Sequence, residues 1–210
     1  MDTLQQKILA AALPHVVFDG WTMATLERGA REAGLATAEA QQAFPGGVME
    51  AIEAHSHASD EAMIDTLRND YSLATMKVRE RIATCVMVRL RRATPEREAV
   101  RRALAHVMLP WNAPKGLAML HRTVDAMWRE AGDTSTDWNY YSKRMLLGKV
   151  YMTTLYAWLD DESHDLRDTE AFLARRIESV MQIEKAKGKA RQAYGKATGF
   201  VEQWILRSRA

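Results

Sequence analysis

Three side chains at regular spacing are the first candidates for chemistry. Glu53, His57 and Glu61 recur at every fourth position, so a helix would carry them on one face, where they could hold a divalent metal ion. The same spacing is typical of a solvated helix face. Diiron bundles also need Glu-x-x-His motifs on separate helices, and the sequence contains none. We therefore expect no metal site.

The sequence also lacks the motifs that place a catalytic group. It contains no Gly-x-Ser-x-Gly elbow, no Cys-x-x-Cys pair and no glycine-rich phosphate loop. Its single cysteine, Cys85, lies among apolar residues and is predicted to be a buried thiol. His15, His106 and His121 each stand alone and are predicted to be partly buried histidines with satisfied hydrogen bonds. We therefore predict that the protein is not an enzyme.

The elements that would position any site are helices throughout. Apolar residues recur at helical spacing, and no segment alternates as a strand does between hairpin turns. Near the start, a longer helix precedes two short helices that are separated by Gly34, which is the pattern of a helix-turn-helix. We predict an all-α fold with this three-helix unit at residues 1–69, a ligand-binding and dimerisation bundle at 70–187 and an amphipathic helix at 188–210.

The helix-turn-helix unit carries the wrong charge for DNA. Its expected recognition helix contains Gln41 and Gln42 but no lysine or arginine, and residues 32–67 hold seven carboxylates and no cation. Such a surface repels phosphate. The residues KILAAALPHVVFDGWTMATLERGAREAGL and the following AFPGG resemble the N-terminal domain of TetR-type regulators. We predict a scaffold without a DNA partner, and a TetR-type repressor that senses an apolar effector is the alternative.

One helical stretch has more apolar surface than a single core requires. From Met145 to Leu159, Lys149 is the only charged residue. A soluble helix that is apolar on all sides is buried on all sides, and this one is too short for a bilayer, which needs roughly 20 apolar residues. We therefore predict that it contacts its own core and a second apolar surface, which is either another subunit or an apolar ligand.

The C-terminal stretch is basic and amphipathic. Residues 181–210 hold seven basic and two acidic side chains, and Tyr194, Val201, Trp204 and Ile205 recur on the apolar side at helical spacing. A basic helix with tryptophan on its apolar side is typical of a membrane surface. We predict that these four residues contact membrane, with an ordinary terminal helix packed on the domain as the alternative.

The second half of the chain carries a long pattern of residues at fixed spacing. The pattern is MLP-x-N-x-P, then MW-x-x-AGD-x-STD-x-N-x-Y-x-x-R, then VY-x-x-T, and finally D-x-x-x-T-x-x-FL-x-x-R. It falls on Met108 to Pro110, Asn112, Pro114, Met127, Trp128, Ala131 to Asp133, Ser135 to Asp137, Asn139, Tyr141, Arg144, Val150, Tyr151, Thr154, Asp165, Thr169, Phe172, Leu173 and Arg176. With this pattern the chain resembles the ninth Coq protein of ubiquinone biosynthesis and its bacterial relatives.

This resemblance implies a TetR-like fold and an accessory, lipid-binding role in ubiquinone biosynthesis. It implies that the protein holds an isoprenoid quinone intermediate and presents it to a separate diiron hydroxylase that acts on demethoxyubiquinone. It also implies a homodimer formed through the bundle helices, a C-terminal helix at the membrane surface, and no cofactor besides the bound lipid. Tyr140 stands where the family often has tryptophan, in the patch thought to meet the hydroxylase.

Two sets of site residues follow. The patch for a partner protein is predicted at Asn139, Tyr140, Tyr141 and Arg144, which follow a cap-rich turn at the start of the apolar helix. The wall of the lipid site is predicted at Leu117, Leu120, Val124, Met127, Leu146, Val150, Met152, Leu155 and Trp158.

The expected location is the cytoplasm, with peripheral attachment to the inner face of the membrane. A lone cysteine cannot form an internal disulfide, which favours a reducing compartment. The sequence shows neither a signal-peptide pattern nor a transmembrane span.

Overall fold

The computed structural model describes residues 3–136 and 138–182, and every regular element in these two ranges is helical. The all-α prediction is therefore confirmed. The helices are α1 (Thr3–Asp19), α2 (Met23–Glu32), α3 (Thr37–Ala43), α4 (Val48–Asp70), α5 (Val78–Ala93), α6 (Arg97–Val107), α7 (Ala113–Glu130), α8 (Trp138–Leu159) and α9 (167–182).

Local hydrogen bonds determine where α5 and α6 begin. Helix α5 begins at Val78, because the carboxylate of Glu80 accepts a hydrogen bond from the Lys77 N–H at 3.0 Å and caps the helix there. The backbone of Thr94 is helical and its hydroxyl donates to the Leu90 carbonyl, so α6 begins at Arg97 after a short 3₁₀ turn.

Helices α1 to α3 share a core with the first half of α4 and with α6. Trp21 and Phe44 are its largest buried side chains, and the Trp21 indole N–H donates to the Ala99 carbonyl at 2.9 Å, which joins this unit to α6. Helices α1 and α2 cross closely at Gly29, where a Cβ atom would lie only 2.7 Å from the Cβ of Ala12. This glycine therefore sets the distance between the two helices.

Helix α4 connects the N-terminal unit to the bundle. Ile52, in its first half, packs in the N-terminal core, whereas Met63 and Leu67, in its second half, pack in the bundle core. The bundle core also contains Met127 and Trp158, both fully buried. The same helix thus reaches both parts of the molecule and can hold side chains between them.

The turn between α8 and α9 is held by one buried carboxylate. Asp161 accepts hydrogen bonds from the N–H and hydroxyl of Ser163 and from the N–H and hydroxyl of Thr169. Burial alone would raise the pKa of Asp161, but these hydrogen bonds outweigh burial and lower the pKa to about 2.

We expect Asp161→Ala to lower the free energy of unfolding by about 2 kcal/mol, since it removes a buried acceptor with four donors. Because the folded pKa lies below the ordinary value of 3.8, this stabilisation is present above about pH 4 and is lost as pH falls towards 2. Urea unfolding of both chains at a series of pH values measures it. Asp160→Ala, at an exposed neighbour, is the control and should have little effect; an equal loss in both variants would contradict the assignment.

The predicted membrane-contact residues Tyr194, Val201, Trp204 and Ile205 lie outside the described residues. Within the ranges that are described, no helix has both the length and the apolar character needed to cross a bilayer.

Candidate ligand cavity in the helical bundle

A cavity of about 310 Å³ lies between α4, α5, α6, α7 and α8. This volume is at the lower end of the range that is typical of small-molecule sites. Most of its wall is apolar, and five different helices contribute to it. The apolar lining includes Ile52, Leu90, Val100, Leu104, Val107, Met119, Leu120, Met152 and Leu155.

Four of the nine predicted wall residues line this cavity, namely Leu117, Leu120, Met152 and Leu155. The other five do not. Val124, Met127, Val150 and Trp158 are buried in the bundle core, and Leu146 is half-buried outside the cavity. All nine residues lie on α7 and α8. Four of the five are on the core side of these helices, which packs against other helices, so the structure corrects this part of the prediction.

The cavity reaches the surface at an apolar rim. Leu117 on α7 is 66% exposed although it lines the cavity, and Met108, which also lines it, is 65% exposed. Exposed large apolar side chains at the edge of an apolar cavity are typical of the entrance of a binding site.

Another part of the wall, at Arg89 and Thr123, adjoins a buried cluster of paired charges. Asp60 on α4 is buried and accepts hydrogen bonds from Arg89 Nε at 3.0 Å and from the Thr123 hydroxyl at 3.0 Å. Its second oxygen also accepts from Arg122 Nε at 3.3 Å. A buried charge is tolerated when it is paired in this way. Three of the walls, α4, α5 and α7, are therefore tied together beside the cavity.

Tyr151 on α8 lies next to this polar cluster. Burial raises the pKa of its phenol, the nearby Arg89 lowers it and Asp60 raises it, so that the net pKa lies above the ordinary value. The phenol is neutral at physiological pH and can donate its proton in a hydrogen bond.

The four residues predicted to meet a partner protein do not form one exposed patch. Tyr141 is exposed, and Asn139 is exposed and already makes a contact. The Tyr140 hydroxyl donates to Asp125 at 3.1 Å, and its ring packs under the guanidinium of Arg144. The Tyr140 side chain is therefore engaged in contacts inside the protein.

Arg144 is a correction to the sequence prediction. Only 4% of it is exposed, because its guanidinium is held by Asp125 at 2.6 Å and Asp133 at 3.0 Å. Burial would raise the pKa of Asp133, but hydrogen bonds from Lys143, Ser135 and Arg144 hold that pKa well below its ordinary value. Arg144 thus fastens the start of α8 to the end of α7 rather than facing a partner.

Helix α8 has the additional apolar surface that its composition indicates. Besides its core side, it gives Met152 and Leu155 to the cavity wall. Met145 remains 71% exposed and Tyr156 45% exposed. The helix therefore contacts the core and the cavity and also leaves an apolar strip on the surface.

The other candidate groups are paired locally. Glu53 forms an ion pair with Lys115, and His57 pairs with Glu61, each at 3.4 Å. Among the described residues, no three His, Cys, Asp or Glu side chains are grouped so that they could hold a metal ion. The Cys85 thiol is buried, and burial raises its pKa to about 12, so it is a poor nucleophile.

A helix-turn-helix unit followed by a helical bundle with an internal cavity defines the TetR-like fold. The TetR transcriptional regulator from Nitrosomonas europaea ATCC 19718 has the same fold, with a TM-score of 0.68 over 85% of this chain and 98% of that one. The two sequences are 19% identical, so this likeness concerns the fold alone. The predicted TetR-like architecture is confirmed.

The sequence comparisons are more specific. Residues 113–184 match the COQ9 family model. The chain is 35% identical over 188 residues to the human protein named "Ubiquinone biosynthesis protein COQ9, mitochondrial", a match that covers 87% of this chain and 59% of the human one. The rat protein of the same name gives 35% identity, with 87% and 60% covered. The chain therefore carries a match to the COQ9 family model and is similar to COQ9 proteins over most of its length, and it spans about three fifths of the length of these relatives.

Proposed function

We propose that this chain takes part in ubiquinone biosynthesis as a non-catalytic protein that binds an isoprenoid quinone intermediate and presents it to a membrane-associated hydroxylase. The names of the curated relatives support the pathway. The observation that carries the ligand proposal is the apolar cavity, which lies between five helices and opens at the exposed rim of Leu117 and Met108.

The composition of the wall supports a flexible apolar ligand. Aliphatic side chains and the methionines Met108, Met119 and Met152 line the cavity, and methionine adapts its shape to an irregular chain because it is unbranched and polarizable. The charged groups beside the cavity are paired with one another. The protein would therefore bind and orient a lipid without supplying an acid, a base or a nucleophile.

The exposed apolar strip on α8 supports a contact with a second protein. Tyr141, Met145 and Tyr156 are its exposed members. Large exposed apolar side chains are costly in an isolated monomer and are typical of interfaces. We assign this strip to a homodimer or to the hydroxylase. Attachment to the membrane surface through residues 188–210 is part of the same proposal. The relatives carry the word mitochondrial in their names, which gives no support to the cytoplasmic location predicted from the sequence.

Mass spectrometry of organic extracts from the purified chain tests the proposal. We expect an isoprenoid quinone, or a precursor with the same polyprenyl tail, in roughly stoichiometric amount. Protein purified without bound lipid should also take up a quinone with an alkyl tail from detergent solution. Failure to recover any lipid, together with failure to load the quinone, would refute the binding role. Salt-sensitive binding to a specific DNA sequence would instead favour the repressor.

A further inference from the structure

The Tyr151 hydroxyl is a polar group of the cavity wall that has no hydrogen-bond partner among the described residues. The residue is only 6% exposed and lines the cavity. Its oxygen is not one of the fully enclosed side-chain atoms that lack a partner, so it is accessible from the cavity. Because most polar groups at such positions make a hydrogen bond, a molecule inside the cavity can supply the partner.

The neighbouring groups determine what kind of partner fits. Both oxygens of Asp60 are already occupied by donors, and His55 Nε2 bonds to Glu96 at 2.7 Å. The polar part of the wall can therefore donate hydrogen bonds, from the Tyr151 hydroxyl and from the guanidinium of Arg89. Among the described residues, it has no unpaired carboxylate that could accept one. An oxygen acceptor on the ligand would fit this end.

Charge favours a neutral acceptor over an anion. The buried ion pair is neutral as a whole, because Asp60 compensates Arg89 at 3.0 Å. The additional cation, Arg122, is about one third exposed and is solvated. An anionic group placed beside this compensated pair would lose its hydration without gaining a free buried cation.

The apolar entrance lies away from this end. On α7, Thr123 bonds to Asp60, and Leu117, six residues earlier, is exposed at the rim. Six residues of helix correspond to roughly 9 Å along its axis. The wall thus changes from polar to apolar over the length of a short alkyl segment.

Given the proposed function, on which this inference rests, we propose that the cavity binds its ligand in one orientation. The Tyr151 hydroxyl donates a hydrogen bond to an uncharged oxygen acceptor on the head group, such as a quinone carbonyl. The apolar tail runs along α7 towards Leu117 and Met108 and leaves through the rim. The same geometry would hold the head group inside the bundle and keep the tail near the surface.

The test compares Tyr151→Phe with the wild-type chain. The substitution removes only the hydroxyl. Tyr71→Phe is the matched control, because Tyr71 is half-buried and does not line the cavity. Dissociation constants are measured by equilibrium dialysis in dilute detergent for three probes, which are decylubiquinone, decylbenzene and decanoate. Thermal unfolding of each variant verifies that it folds.

We expect Tyr151→Phe to weaken decylubiquinone binding by about three- to tenfold, which corresponds to one hydrogen bond. Decylbenzene binding should stay unchanged, since it has no oxygen acceptor, and Tyr71→Phe should bind all probes as the wild-type chain does. Equal affinity of wild-type and Tyr151→Phe for decylubiquinone would overturn the orientation while leaving the lipid-binding role standing. An effect on decanoate alone would overturn the neutral head group. If the wild-type chain binds none of the three probes, both the proposed orientation and the proposed function fail.

Discussion

The Val100→Trp chain is expected to bind at least tenfold less quinone than the wild-type chain. Val100 lies on α6, is half-buried and lines the cavity. An indole ring at this position would project into a cavity of about 310 Å³, which is already at the lower end of the range for ligand sites, and would take space from a ligand. The lost space could be regained only by displacing packed helices, and packed interiors resist such displacement. The free energy of unfolding should stay equal or rise, because the ring fills a cavity instead of crowding a closed core.

A control variant separates filling the cavity from adding an aromatic ring. Val78→Trp places the same side chain at the start of α5, where Val78 is 54% exposed and does not line the cavity. It should retain the wild-type amount of quinone in organic extracts and the wild-type affinity for decylubiquinone. If Val100→Trp folds with wild-type stability and still binds quinone as the wild-type chain does, the ligand site is elsewhere.

Helix positions follow from the sequence because periodicity and local capping residues determine them. The excess apolar surface of α8 was also visible from composition, since Lys149 is its only charge between Met145 and Leu159. Because α8 is apolar on all sides, its sequence does not indicate which side packs in the core and which side lines the cavity. Val150 packs into the core and Met152 lines the cavity, and nothing in their residue types distinguishes them.

The contributions of α4, α5 and α6 to the wall were missed for another reason. They depend on how helices far apart in sequence pack together, and a single helical pattern does not contain that information. One signal was present. Arg89 interrupts the apolar run of Val86, Met87, Val88 and Leu90, and a cation in such a position is buried and needs a buried carboxylate.

Arg144 illustrates the opposite error. Its place after a cap-rich turn resembles an exposed helix start, so the sequence predicts a side chain available to a partner. In the structure, Asp125 and Asp133 form ion pairs with Arg144, and these two carboxylates hold its guanidinium in a buried position. An arginine at such a position can bind a partner at the surface or form ion pairs inside the protein. Which of the two applies to Arg144 depends on contacts across the turn between α7 and α8.

The polar cluster ties the shape of the cavity to the stability of the bundle. Asp60 on α4 contacts Arg89 on α5 and Thr123 on α7, so it fixes three walls of the ligand site with one carboxylate. Helices that pack only through apolar side chains could shift along one another, because such contacts have no fixed direction. Paired charges restrict the helices to one arrangement, and that arrangement holds the Tyr151 hydroxyl at the cavity.

We therefore expect Asp60→Ala to cause the largest loss of stability of any substitution considered. It removes the acceptor of a buried ion pair and leaves Arg89 uncompensated, which costs about 3–5 kcal/mol. For a chain of this size, such a loss lowers the melting temperature by roughly 10 °C. Differential scanning calorimetry measures it. Asp65→Ala, at an exposed position on the same helix, should change the free energy of unfolding by less than about 0.5 kcal/mol.

A second substitution distinguishes the loss of the ion pair from a general disturbance of α4. In the chain that combines Asp60→Ala with Arg89→Met, no uncompensated buried cation remains beside the cavity, so part of the stability should return. The double variant should be more stable than the sum of the two single losses predicts. Strict additivity, or a melting temperature of Asp60→Ala no lower than that of Asp65→Ala, would mean that solvent or backbone groups satisfy Arg89 without the carboxylate. The helices around the cavity would then be held by apolar packing alone.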